Sequence, residues 1–133
     1  MNLLTRLSRV TYRSATPDVI GLKLKEFVAL TYLRESTRAT QQKLAKTLML
    51  DANNCVILLN GLEENGMIER TRDPEDRRRH IVAITSRGQR ALEKAERELE
   101  TVEDDVLGNL SQEERGELRD LLAKALEDHS LTI

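Results

Sequence analysis

The residues that decide the fold run from Thr40 to Gly88, and their centre reads Met67-Ile68-Glu69-Arg70-Thr71-Arg72-Asp73-Pro74-Glu75-Asp76-Arg77-Arg78-Arg79-His80-Ile81-Val82-Ala83-Ile84-Thr85. Met67–Arg72 and Arg79–Thr85 have the composition of short strands, and the charged turn formers Asp73 to Arg78 join them as a hairpin. Immediately upstream lies a helix pair, Thr40–Leu48 and Asp51–Asn65. Thr40 and Asp51 suit the two N-caps, and Asn65-Gly66 suits a C-terminal stop with Gly66 left-handed. Leu44, Ala45 and Leu48 point one way on the first helix of the pair. On the second, a turn of about 100° per residue groups Cys55, Leu58, Leu59 and Leu62 on one face. The opposite face carries Asn53, Val56, Ile57, Asn60 and Gly61.

The flanks are helical. Leu3, Leu4, Leu7 and Val10 give an amphipathic helix from residue 3 to about 14, which Thr16-Pro17-Asp18 breaks. Leu24, Phe27, Val28 and Thr31 mark a second helix over about 22–35, and Ser36–Ala39 reads as a polar connection. Beyond the hairpin, Thr85 or Ser86 caps a long helix to about Leu107. Its residues Leu92, Ala95, Leu99, Val102 and Val106 form a heptad stripe suited to packing along another helix. Ser111-Gln112-Glu113-Glu114 has the capping-box pattern and starts a last helix lined by Leu118, Leu121, Leu122, Ala125 and Leu126. The fold class is therefore mainly α with a small β-hairpin wing. A winged helix-turn-helix lobe over 22–88 sits within a single domain, 1–133. The helical ends, 1–15 and 89–133, carry more apolar stripe than such a lobe needs and predict a homodimer.

The 133 residues suit one domain, and aromatic residues make up only 2%, so the core must be aliphatic. The net charge of −2 hides a division. Residues 1–90 hold 16 Lys and Arg against 10 Asp and Glu, while residues 91–133 hold 5 against 13. A basic front and an acidic rear predict a polyanion partner for the front, or two solvated faces of a helical protein. No membrane-length apolar run and no signal-peptide pattern occurs, and the expected location is cytoplasmic, with no membrane partner. One cysteine, Cys55, excludes an internal disulfide. His80 and His129 have no neighbours at ligand spacing, so no metal and no cofactor is assigned. No nucleophile triad, phosphate loop or carboxylate pair stands out, and the chain reads as a non-enzyme.

At Asp76-Arg77-Arg78-Arg79-His80-Ile81-Val82-Ala83-Ile84-Thr85-Ser86-Arg87-Gly88 the sequence resembles the wing signature of the MarR family (multiple-antibiotic-resistance regulators), D-x-R, an apolar strand and L-T-x-x-G, with Ile84 in place of Leu. Leu22–Leu30, Gln42-Lys43-Leu44-Ala45 and Leu62-Glu63-Glu64-Asn65-Gly66-Met67-Ile68 also resemble family segments in family order. The resemblance implies a dimeric transcription regulator, expected to be a repressor, that binds double-stranded DNA at a palindromic operator. A small aromatic or phenolic effector, or an oxidant, often releases it.

On that reading Arg72, Asp76, Arg77, Arg78 and Arg79 form the wing's DNA contact. By resemblance Arg78 reaches the groove, Asp76 orients it and Arg77 is the reserve. The plainer alternative is a charged surface hairpin with local ion pairs. Arg38, Thr40 and Gln41 are candidates for a backbone phosphate, beside ordinary capping by Thr40. The recognition helix departs from the family, because no Lys or Arg stands between Asp51 and Glu69. Asn53, Asn54 and Asn60 remain for adenine, and Val56 and Ile57 for thymine methyls, which predicts an A·T-rich operator. By resemblance an effector pocket would draw on Tyr12, Arg13, Phe27, Thr31 and Tyr32, with Arg13 facing a carboxylate. The plainer reading makes Phe27 core and Tyr12 a boundary residue. The dimer interface is expected from Leu3, Leu7, Val10, Leu99, Val102, Val106, Leu118, Leu121, Leu122 and Leu126. Two rivals remain open: a winged-helix protein-interaction module without specific DNA reading, and a thiol-based redox sensor using Cys55.

Overall fold

The computed structural model describes residues 2–129, so the outermost ends of the domain and of its two helical flanks lie outside the described residues. The elements in order are α1 (Leu3–Ser14), α2 (Pro17–Ile20), α3 (Leu24–Glu35), β1 (Ala39–Thr40), α4 (Gln41–Thr47), α5 (Ala52–Glu64), β2 (Ile68–Arg72), β3 (His80–Ile84), α6 (Ser86–Val106) and α7 (Gln112–Ala125). Mostly helical, with a small antiparallel sheet, this is a winged helix-turn-helix with helical flanks.

Local chemistry sets the helix ends. The side chains of Thr40, Asp51, Thr85 and Ser111 each accept the backbone N–H three residues on, at 3.1, 2.7, 3.1 and 3.1 Å. Ser111 and Glu114 complete a reciprocal box, because the Glu114 carboxylate accepts the Ser111 N–H at 2.9 Å. Two elements differ from the sequence reading. The break at Thr16-Pro17-Asp18 is itself the start of α2, with Pro17 where a proline needs no N–H donor. The connection before α4 contains β1, which pairs Ala39 with Val82 and Thr40 with Ile81 and gives the sheet order β1-β3-β2.

The core is aliphatic: Leu30, Leu44, Leu48, Leu59, Leu62, Ile68 and Leu92 are fully buried. Each contributes about 1.5–3 kcal/mol of apolar burial. In α5 the buried residues are Cys55, Leu59 and Leu62, with Leu58 packed against the same core. The stripe of α6 behaves differently from expectation. Leu92 and Ala95 are buried, Val102 is 5% exposed, and Leu99 packs against the core. This stripe is covered by the chain's own α1, α2 and α3, which all contact α6. Leu99 and Val102 therefore leave the set of expected interface residues.

The start of α6 fixes the hairpin to the lobe. Thr85 Oγ1 donates to the Gly66 carbonyl at 2.6 Å, and Thr85 N–H donates to Met67 O at 3.0 Å. Gly66 sits at φ 72°, where glycine is favoured. A Cβ at Gly88 would collide with the Met67 carbonyl oxygen and crowd Ile84 Cγ1. The Ile84-Thr85-Ser86-Arg87-Gly88 segment is thus a contact between the root of the wing and the helix that follows it.

Candidate nucleic-acid interface

The wing is a hairpin with Arg72 paired to His80 across its last rung. At its tip Asp76 Oδ1 accepts the Arg78 N–H at 3.1 Å and Arg78 Nε at 3.2 Å, and Asp76 Oδ2 lies 3.5 Å from Arg79 Nε. The backbone and side-chain hydrogen bonds from Arg78, then the Arg79 charge, hold the Asp76 carboxyl below its ordinary pKa. The Arg78 side chain is nevertheless 91% exposed. One carboxylate thus aims a solvent-facing guanidinium. Arg77 is exposed, and its carbonyl accepts Arg72 Nη1 at 3.4 Å.

The neck of the wing is closed by Asp73, which lies outside the expected DNA-contact residues. Asp73 is 4% exposed, a buried carboxylate. Its Oδ1 accepts Arg38 Nη2 at 2.6 Å and the Glu75 N–H at 2.9 Å, and its own N–H donates to Arg79 O at 3.0 Å. Arg38, expected at a phosphate, pairs here with Asp73, with Glu75 as a second partner at 3.7 Å, and its side chain stays 48% exposed. The pair braces the wing against β1.

Beside the wing an open cleft of about 700 Å³ is lined by Thr40, Gln42, Lys43, Lys46, Thr47 and Arg79. Three cations from α4 and the wing converge on it. Lys43 and Lys46 escaped the sequence reading, although their spacing of three puts them on one helical face. Thr40 Oγ1 caps α4 by accepting the Lys43 N–H, and Lys43, Lys46 and Arg79 add side-chain charge to the same cleft.

On α5 the outward residues are Asn53, Asn54, Val56, Ile57 and Asn60, with Ile57 61% exposed. Two of the three asparagines are engaged. Asn54 Nδ2 donates to Asp51 at 2.9 Å. Asn60 Oδ1 accepts Arg70 Nη2 at 2.6 Å, and Arg70 is also held by Glu63 at 2.9 Å. The Arg70 hydrogen bonds lower the Glu63 pKa, and the same bond raises that of Arg70. The paired use of amide oxygen and nitrogen that adenine recognition needs is compromised at Asn60, whose carbonyl is tied to the wing. Asn53 makes no side-chain hydrogen bond among the described residues.

Cys55 is buried, and burial raises its thiol pKa. The redox reading needs an accessible thiolate, so the structure removes its support. The five residues expected around an effector do not share either described cleft. Phe27 and Tyr32 pack against the core, Thr31 Oγ1 bonds the Phe27 carbonyl at 2.8 Å, and Tyr12 and Arg13 are exposed on α1. A second cleft, of about 550 Å³, opens between α1, α6 and α7, lined in part by Leu7, Thr11, Val106, Leu118 and Leu122. Next to it Leu3, Val10, Leu121 and Leu126 are exposed, and α7 has no buried residue. Arg115 ties α7 to Asp104 at 2.8 Å.

The sequence model of the MarR family matches residues 22–80. An uncharacterized HTH-type transcriptional regulator of Bacillus subtilis, YdgJ, is 34% identical over 104 residues. That alignment covers 78% of this chain but only 63% of the longer relative. The HTH-type transcriptional regulator BilQ of Clostridium symbiosum is 30% identical over 104 residues, 78% of this chain and 72% of that one. Among solved structures, the transcriptional repressor CouR bound to a 23-mer DNA duplex superposes with a TM-score of 0.77. It is 30% identical and covers 92% of this chain and 88% of its own.

Proposed function

Because this chain belongs to the MarR family of transcription regulators, we propose that it is a homodimeric repressor that reads a palindromic double-stranded operator and is released by a small aromatic or phenolic effector. One observation carries the DNA-binding part: the Asp76-held Arg78 projects from a wing whose Arg79 shares a cleft with Lys43 and Lys46. Cations that two elements bring into one cleft beside an outward-facing α5 suit the phosphates that border a major groove. In this reading Arg78 enters the minor groove, Arg72, Arg77 and Arg79 meet phosphates, and the N-terminal half of α5 enters the major groove. The cleft between α1, α6 and α7, with the exposed Leu3, Leu121 and Leu126 beside it, is where a second copy would pack. Two copies would then set their α5 helices about 34 Å apart, one turn of duplex. An effector that favours a differently spaced dimer lowers DNA affinity by its differential affinity for the two shapes. The pocket for it stays with Tyr12, Arg13, Phe27, Thr31 and Tyr32 only if the dimer encloses them.

Selection from a random duplex pool at two salt concentrations, followed by sequencing, tests this function. It should return an inverted repeat, bound by two copies, with retention falling steeply as salt rises. Retention without an enriched repeat would contradict specific reading. The Lys- and Arg-free surface of α5 favours one other reading, a protein-interaction module, which predicts no DNA retention even at low salt.

A further inference from the structure

Building on that reading, we infer that α5 reads its half-site through the C5-methyl groups of thymines packed against Ile57, flanked by Val56, and that Arg70 enforces this by withholding both itself and Asn60 from the bases. Four observations converge. First, Ile57 is 61% exposed and Val56 37%, adjacent apolar side chains on the face of α5 turned away from the core. Second, α5 has no Lys or Arg, so the bidentate contact to guanine O6 and N7 has no donor on this helix. Third, Arg70 on the neighbouring strand is fixed by three contacts to the Glu63 carboxylate and one to Asn60 Oδ1, and its side chain is only 18% exposed. It therefore does not reach past α5 to a base. Fourth, with Glu63 paired to Arg70, Glu64 leaves the C-terminal turn of α5 without net positive charge for the phosphates, and the N-terminal half is left to enter.

What remains at the groove is an apolar pair with Asn53 one turn earlier. Among major-groove edges only the C5-methyl offers an apolar partner, and in ordinary DNA only thymine carries it. Asn53 is free to take the adenine of a neighbouring pair. Ile57 is thus the specificity-determining residue, and Arg70 a positioning residue that acts through Asn60.

The test uses the full chain and two versions of the selected duplex, one with thymine and one with deoxyuridine at the half-site positions, which pairs identically but lacks the methyl. A third version carries 5-methylcytosine where cytosine stands. Burial of one methyl corresponds to about fourfold in affinity, and two half-sites to about 15-fold. The native chain should therefore bind the deoxyuridine duplex about 15-fold more weakly, and Ile57→Ala should bind both versions within about twofold of each other. Ile57→Val should retain an intermediate preference, and 5-methylcytosine should leave affinity unchanged unless a cytosine faces Ile57. Equal affinity of the native chain for thymine and deoxyuridine duplexes overturns the inference, as does enrichment of G·C-rich half-sites. Loss of all binding, selected duplex included, would overturn the DNA-reading function itself, and is distinguished by the absence of any salt-dependent retention.

Discussion

Replacing Asp73 by alanine should loosen the wing at its neck, by an amount that the contacts set. The carboxylate is 4% exposed and accepts two hydrogen bonds, from Arg38 Nη2 at 2.6 Å and Glu75 N–H at 2.9 Å. A hydrogen bond to a charged group contributes about 1.5–3 kcal/mol where both ends are buried. Neither donor here is fully buried. Arg38 is 48% exposed and regains water when its partner is lost, so that bond counts for about 1 kcal/mol. Glu75 is exposed, and its amide likewise falls at the low end. Against this, alanine removes the cost of desolvating a carboxylate. The net is about 1–2 kcal/mol for Asp73→Ala, and about half of that for Asp73→Asn, which keeps an acceptor for Glu75 but loses the charge. The assay is a double-mutant cycle with Arg38→Ala, read by urea denaturation and by exchange of the Asp73, Glu75 and Arg79 amides. The pair should show a coupling of about 1 kcal/mol, with exchange in the hairpin accelerated more than in α3 or α6. Strictly additive substitutions, or hairpin amides that exchange at the native rate in Asp73→Ala, would refute the bracing role.

Three further outcomes follow from contacts elsewhere. Gly88→Ala should destabilise by about 1–3 kcal/mol in thermal melts, because its Cβ meets the Met67 carbonyl and Ile84 and α6 must shift to clear them. Unchanged melting would show that the approach of α6 to the wing root is not tight. Asp76, Glu63 and Glu114 all have folded pKa values lowered by hydrogen bonds, from Arg78, Arg70 and Ser111 respectively. The unfolded chain binds protons to these groups more tightly, so their stabilisation is complete above the ordinary carboxylate values of about 3.9 to 4.3 and fades as pH falls through the lower folded values. Urea midpoints should decline on acidification through that window, and a smaller decline in Glu63→Gln would assign a share to the Arg70 pair. Cys55 in the native chain should react with a maleimide about 100-fold or more slowly than in urea, since access requires α5 to open; reaction at the rate of a free thiol would restore the redox reading.

The helix ends were legible because the residues that make them are adjacent in the chain. Thr40, Asp51, Thr85 and Ser111 each cap within three residues, and Asn65-Gly66 stops α5 by a local backbone conformation. Pro17 breaks the helical pattern in the sequence because the same residue that ends one helix pre-forms the first turn of the next. Strand β1 was missed because two residues carry no periodicity, and its pairing partner lies more than 40 positions away at Val82. The heptad stripe of α6 showed that a face is apolar but not what covers it, and Leu99 and Val102 turned out to be covered from within. At the interface, Asp76 and Arg78 are two residues apart, whereas Asn60 meets Arg70 and Arg38 meets Asp73 only after the sheet has formed. Side-chain partners supplied by another element engage Arg38 and Asn60, and the fold brings Lys43 and Lys46 beside Arg79.

On the proposed reading the wing carries the positive charge of Arg78 into the minor groove between the two phosphate rows of a duplex, once per copy of a dimer. The slope of log affinity against log salt for the selected duplex, measured for the native chain, Arg78→Ala and Lys94→Ala, decides it. Each charge placed among phosphates contributes about 0.9 to that slope. Arg78→Ala should therefore flatten it by about 1.8, two wings together, while Lys94→Ala, an exposed change on α6, should leave it as it was. Equal slopes for all three proteins would contradict the account, because Arg78 would then stand outside the duplex.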